Sequence, residues 1–261
     1  MNSKTIRTTT AAAMIALAGG FLALAPAASA IAVTQDLPSG EQVVARYVEA
    51  TGGEKAHRAI TSRTMVVEMS APQFGKMTIT TKEMAPNMLS AVIKSDQFGE
   101  IIQGTNGEVA WASDVMQGPR VLEGDELTMT IREADFYGDL NTNKYFSKIE
   151  TLGKQEFGEG EVYQVAFTPL DGGNNETRYY DTESGLLVGS EGVMPSPQGE
   201  LTVTTVFSDY RDVDGIKIPF KSERTMFGMT QTLTVQSVTH NEGVTKDDFE
   251  VPEDIKPLLE D

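Results

Sequence analysis

Between residues 63 and 113, short runs rich in β-branched and apolar side chains alternate with turn-forming residues at close, regular spacing. That spacing leaves no room for crossover helices, so it predicts an antiparallel meander and excludes βαβ units. The expected strands are 63–70, 76–84, 88–94, 99–104 and 108–113, broken at Pro72/Gly75, Ala85-Pro86-Asn87, residues 96–98 and Asn106-Gly107. The first strand alternates with period two: Met65, Val67 and Met69 fall on one face, Thr64, Val66 and Glu68 on the other. Asn106-Gly107 predicts a type I′ hairpin, because both central residues of that turn need a tolerated positive φ. Trp111, the only tryptophan, follows four residues later.

The rest of the chain is arranged around this meander. Lys4 and Arg7 precede an apolar run over residues 11–24, and Ala28-Ser29-Ala30 forms a small-residue cleavage site. The pattern predicts a signal peptide over residues 1–30, cut after Ala30, with 31–261 as a single exported, periplasmic domain. Its apolar run is shorter than the ~20 residues of a spanning helix. Ser39 and Gln42 form a capping box that opens a helix carrying Val43, Val44, Tyr47 and Val48, ended by Gly52-Gly53. A short helix over residues 54–60 follows, with His57 as a surface or packing residue.

After the meander, Gly118-Pro119 is expected to break the sheet. Leu127, Ile131 and Ala134 recur at helical spacing, although Leu127, Met129 and Ile131 also alternate as a strand would. The longer-range spacing favours a helix over residues 124–137. A second β run is expected at 147–157, 161–169, 176–181, 186–194, 200–210, 216–225 and 229–240. Asp214-Gly215 reads as a hairpin turn, not a calcium loop. With Gly215 in the sixth loop position, Tyr210 and Lys221 occupy places that need carboxylates.

Composition removes most other chemistries. Asp plus Glu number 38 against 21 Lys plus Arg, a net charge of −17 that loss of a leader carrying Lys4 and Arg7 would make more negative. Such a chain is a poor partner for nucleic acid or an anionic membrane surface. With two histidines and no cysteine there is no zinc-type His pair, thiolate site, nucleophile elbow or phosphate loop. No catalytic residue, metal or cofactor is therefore expected. Glu126, Glu133, Asp135 and Asp139 could pair for glycoside cleavage, but they read better as a solvated helix face.

What remains is an exported sheet with many apolar inward positions. They include Met65, Val67, Met69, Met77, Ile79, Leu89, Ala91 and Ile93, then Tyr163, Val165, Phe167, Leu201, Val203 and Phe207. Periodicity alone favours a filled barrel or sandwich core over a ligand cavity. The twelve methionines suit an adaptable apolar surface.

The N-terminal helix, the meander, Ala85-Pro86-Asn87-Met88 and Asn106-Gly107-Glu108-Val109-Ala110-Trp111 together resemble the LolA-like family of periplasmic lipoprotein-sorting proteins. That family has an Asp/Asn-Gly-x-x-x-Trp hairpin in this place and a closing Phe-x-x-Pro, matched here by Phe249 to Pro252. The run from Asp209 to Pro219 resembles the penultimate hairpin of larger bacterial relatives, the outer-membrane lipoprotein-sorting proteins. Ala85 stands where the sorting carriers usually have a basic residue.

The resemblance implies a mainly β, α+β fold: a curved, incomplete antiparallel barrel whose concave face is covered by helices. It implies a non-enzymatic carrier or binding protein for lipid or lipoprotein acyl chains, with envelope donor and acceptor proteins as further partners. The cavity wall it suggests comprises Met65, Val67, Met69, Met77, Ile79, Leu89, Ile93 and Trp111. The lid comprises Val121, Leu122, Leu127, Ile131 and Phe136. The competing reading is an envelope structural or interaction protein whose core is filled by its own side chains.

Overall fold

A computed structural model of the chain describes residues 37–259 apart from 73–74, 98, 159 and 197–198. The expected leader and its cleavage point lie outside the described residues. The helices are α1 (Gly40–Ala50), α2 (Glu54–Ala59) and α3 (Gly124–Glu133). The first group of strands is β1 (Ser62–Ala71), β2 (Gly75–Met84), β3 (Met88–Ser95), β4 (Gly99–Thr105), β5 (Ala110–Asp114) and β6 (Gly118–Val121). The second is β7 (Phe146–Phe157), β8 (Gly160–Pro169), β9 (Glu176–Asp181), β10 (Leu187–Ser196), β11 (Gly199–Val213), β12 (Ile216–Met226) and β13 (Met229–His240). Among the described residues no helix is long and apolar enough to cross a membrane.

Each group is a meander, and pairing of β1 with β13 joins the two into one antiparallel sheet ordered β6-β5-β4-β3-β2-β1-β13-β12-β11-β10-β9-β8-β7. Among the described residues the edges β6 and β7 do not pair, so the barrel is incomplete, as expected. Residues directly opposite one another in a ladder share a face. Met69 opposes Met77 on one side and Leu233 on the other, and Leu233 opposes Ser222, which opposes Phe207. The helix-bearing face of the first meander therefore continues into the second.

Helices and clusters cover that face in three places. The capping box of α1 forms as expected: Ser39 N–H donates to Gln42 Oε1 at 2.8 Å and Gln42 N–H to Ser39 Oγ at 3.3 Å. Val43 and Val44 of α1 are buried with Ile149, Val165, Phe167 and Tyr180. A Cβ on Gly40 would lie 2.6 Å from the Ile149 backbone, so glycine is what lets α1 start this close to β7. Ile60 and Phe136 pack with Ile216, Ile218, Phe220 and Met65. Leu122 and Leu127 pack on Ala110 and Ala112.

Three local expectations are corrected. Gly118-Pro119 does not end the sheet but forms β6, an edge strand, where a residue without an N–H leaves no interior ladder bond unmade. The middle helix stops at Glu133, with Ala134 as its C-cap, so Phe136 belongs to the following turns. Asn106 is not among the positive-φ residues; its Oδ1 accepts from the N–H groups of Glu108 and Val109, and β4 joins β5 by a four-residue loop. The two-residue turn expected of Asp214-Gly215 is found, with φ of 54° and 82° and Val213 opposite Ile216.

Candidate functional site

A cavity of about 590 Å³ opens on this face between α3 and the strands β9 to β13. Its apolar surface comes from Met129 on α3, Val193 on β10, Val203 and Phe207 on β11 and Leu233 on β13. Its polar surface comes from Ser190, Glu191, Thr205, Ser222 and Arg224 on the sheet, from Arg132 and Glu133 on α3, and from Asn174, Asn175 and Glu176 at the start of β9. A volume of this size is ordinary for a small-molecule site.

Helix α3 spans the cavity because its faces divide the work. Leu127, Thr130 and Ala134 fall on one stripe; Thr130 and Ala134 are buried, and Gln103 Nε2 donates to Thr130 Oγ1 at 2.8 Å. Met129, Arg132 and Glu133 look the other way, into the cavity. Arg132 Nη2 donates to Glu176 Oε2 at 2.6 Å, and Arg178 Nε donates to Glu176 Oε1, also at 2.6 Å. The two guanidinium groups lie over aromatic rings, Arg132 at 4.5 Å from the Phe146 centroid and Arg178 at 4.4 Å from that of Phe167. Burial opposes the charge on Glu176, but Arg178 and then Arg132 outweigh it and hold the carboxyl below the ordinary range. Glu133 differs: burial raises its pKa, and Arg224 and Arg132 offset this only in part.

Neither histidine lines the cavity: His57 Nε2 lies 3.0 Å from Thr51 Oγ1, and His240 Nδ1 lies 3.1 Å from Asp214. Among the described residues no group of three or more His, Cys, Asp or Glu could hold a metal ion.

No family model matches the chain, and no curated protein matches it. Solved structures do. A LolA superfamily protein from Nitrosomonas europaea is 12% identical with a TM-score of 0.57, over 82% of this chain and 99% of that one. A domain assigned to the outer membrane lipoprotein-sorting proteins, from Vibrio parahaemolyticus, is 16% identical with a TM-score of 0.53, over 85% and 100%. A DUF1329 family protein from Desulfovibrio piger is 12% identical with a TM-score of 0.56, over 81% and 95%. The fold is LolA-like.

Within this LolA-like fold the expected wall residues share one face but not one cavity. Met65, Val67 and Met69 on β1, Met77 and Ile79 on β2, and Leu89 and Ile93 on β3 all point to the helix-bearing side of the sheet. Val67, Met77 and Leu89 are buried there, and Met65 packs into the cluster beneath Phe136. None of them lines the cavity, which opens instead over the second meander. Val203 and Phe207, read from the sequence as inward positions, do line it.

Trp111 is a correction. It lies between Ala110 and Ala112, which face Leu122, so strand alternation turns it to the other side of the sheet. There it stands in register with Gly104, Ser90 and Lys82, and Lys82 pairs with Asp248 of the C-terminal segment. That segment buries Phe249 and Ile255 almost completely.

The expected lid is also redistributed. Leu122 and, from α3 itself, Leu127 pack on Ala110 and Ala112, Phe136 packs with Ile60 and Ile218, and Val121 opposes Trp111 on the far face. Ile131 is 40% exposed and does not line this cavity. The acidic cluster is only partly a solvated face. The Asp135 side chain is 5% exposed and accepts from Tyr145 Oη at 2.6 Å and Lys144 Nζ at 2.9 Å. Sequence reasoning missed Arg132 and Glu133 as cavity residues. Their spacing from Met129, at i+3 and i+4, was the available signal.

Proposed function

We propose that the chain is an exported, periplasmic carrier or binding protein for the acyl chains of lipids or lipoproteins, held in the cavity between α3 and β9 to β13. Residues 1–30 serve as its cleaved leader, residues 31–261 act as a single domain, and the protein binds without chemical turnover. The observation that carries this reading is the cavity itself, with Met129, Val203, Phe207 and Leu233 on its walls and room for a small amphiphile. Each buried methylene contributes about 0.8 kcal/mol, so one or two acyl chains give useful affinity without a covalent or metal bond. A partner of that kind is also what the name of the lipoprotein-sorting structure suggests.

Purified from the envelope, the protein should carry acyl lipid detectable by mass spectrometry, and the delipidated protein should take up a fluorescent fatty acid. Added lipid should raise its melting temperature, because a ligand that binds only the native state stabilises it. Protein that arrives empty, takes up no probe and melts unchanged would favour the second reading, an envelope interaction protein. Val67, Met77 and Leu89 of the first meander, already buried, are the observation behind that alternative.

A further inference from the structure

The two ends of the sheet differ in what their connections expose. In the strand order β5, β12 and β8 hold the second, eighth and twelfth places, so all three run in the same direction. The connections that leave them, 115–117, 227–228 and 170–175, therefore lie at one end of the sheet. They carry the four most exposed large apolar side chains among the described residues: Met116 (90%), Val115 (70%), Leu170 (58%) and Phe227 (56%). The connections 85–87, 106–109, 182–186 and 214–215 at the other end carry none.

The cavity opens towards the apolar end. Ala166, Thr177, Glu191, Thr204, Thr225 and Thr230 form one register row across β8 to β13. Glu176, Gly192 and Val203 lie one residue beyond that row, on the side of the apolar connections, and line the cavity. Asn174 and Asn175 line it from the connection that also bears Leu170. Phe227 adds an independent sign. It holds a φ of 52° ahead of Gly228 at 70°, in a two-residue turn whose first place favours Asn, Asp or Gly. The β11–β12 turn puts Asp214 in the matching place. A bulky residue at positive φ is conformationally costly, and Phe227 gains no compensating burial within the chain.

We propose that this end of the sheet docks on a zwitterionic lipid bilayer, with Phe227, Leu170, Val115 and Met116 entering the boundary between head groups and acyl chains. The proposal extends the acyl-binding reading above, because it places the cavity mouth where a ligand can pass to or from hydrocarbon. Docking itself is measurable without that reading. The four side chains stand on three separate connections, whereas a protein partner needs a contiguous, shape-matched patch. A fluid boundary accepts scattered apolar wedges. Charge selects the lipid. The three connections hold no Lys or Arg and one acid, Asp171, and the chain carries a net charge of −17, so an anionic surface repels it.

The test is flotation of the delipidated protein with vesicles of phosphatidylcholine, and with vesicles of phosphatidylcholine and phosphatidylglycerol in equal parts. The parent protein should float with the first and about tenfold less with the second at low salt. Phe227→Asn installs a residue suited to the turn, so the melting temperature should not fall while partition onto phosphatidylcholine drops about tenfold. Met116→Ser should lower partition as well. Fatty-acid uptake without vesicles should be unchanged in both variants, since neither residue lines the cavity.

A parent protein that stays in solution with phosphatidylcholine vesicles would overturn docking and leave acyl binding standing. So would variants that float as the parent does, or a preference for the anionic vesicles. A dimer in lipid-free solution that Phe227→Asn converts to a monomer would assign the apolar end to a second copy of the chain instead. Docking by a protein that takes up no fatty acid would support this inference and overturn the acyl-binding reading alone.

Discussion

Arg132 on α3 donates to Glu176 on β9 at 2.6 Å, and through this bond the helix that packs on β4 and β5 is tied to the opposite half of the sheet. The cavity lies beneath that span. Replacing Arg132 by Leu should loosen α3 on its β9 side while Arg178 keeps Glu176 paired. The expected cost is about 1 kcal/mol, since the pair is only partly buried. Hydrogen exchange over residues 124–133 should quicken, and acyl probe should dissociate faster. The folded-state pKa of Glu176 is depressed, so its pairing stabilises above the unfolded value and is lost as pH falls below about 4.5. Denaturation of the parent protein and Arg132→Leu should therefore converge on acidification.

Glu133 should behave with the opposite sign. Burial raises its pKa, so ionisation at neutral pH works against the folded state. Glu133→Gln should stabilise the protein at pH 7 by about 0.5 kcal/mol, a small effect because the side chain remains open to solvent. The gain should shrink as pH falls through the raised value and disappear below the unfolded one. Denaturant midpoints from pH 7 down to pH 4 read this directly.

Two glycines make a matched pair of tests. A Cβ on Gly104 would stand 2.8 Å from the Leu89 carbonyl oxygen and 2.9 Å from the Trp111 ring. Gly104→Ala should cost about 1–3 kcal/mol and lower the melting temperature by several degrees.

Gly192, by contrast, lines the cavity, and a Cβ there meets nothing within 4 Å. Gly192→Leu should leave the melting temperature near that of the parent protein and reduce acyl uptake by occupying the cavity. Loss of stability without loss of uptake would place the ligand elsewhere.

Much of the fold was legible because its strands are short, alternating and separated by turn chemistry, and because Ser39 and Gln42 mark the start of α1 without ambiguity. The Asp214-Gly215 turn was readable for the same local reason. Pro119 misled because its lost N–H matters only inside a sheet, and whether a strand lies at an edge is a property of the whole topology. Trp111 misled because a motif of known spacing does not say which face its last residue takes. Alternation from Ala110 and Ala112 decides that, and only after Leu122 is seen to cover them. The position of the cavity was hidden for a similar reason. Met69 and Phe207 share a face, but which stretch of that face the helices leave open depends on where α1, α2 and α3 settle.

The central claim is that acyl chains occupy the space beneath α3, and photo-crosslinking tests it most directly. The delipidated protein is loaded with palmitate bearing a diazirine near its methyl end, irradiated, digested and mapped by mass spectrometry. Labels are predicted on the peptides carrying Met129, Val203, Phe207 and Leu233, and Gly192→Leu should diminish them. Labelling confined to Met69, Ile79 and Ile93 on the first meander, or no labelling above a protein-free control, would contradict the account.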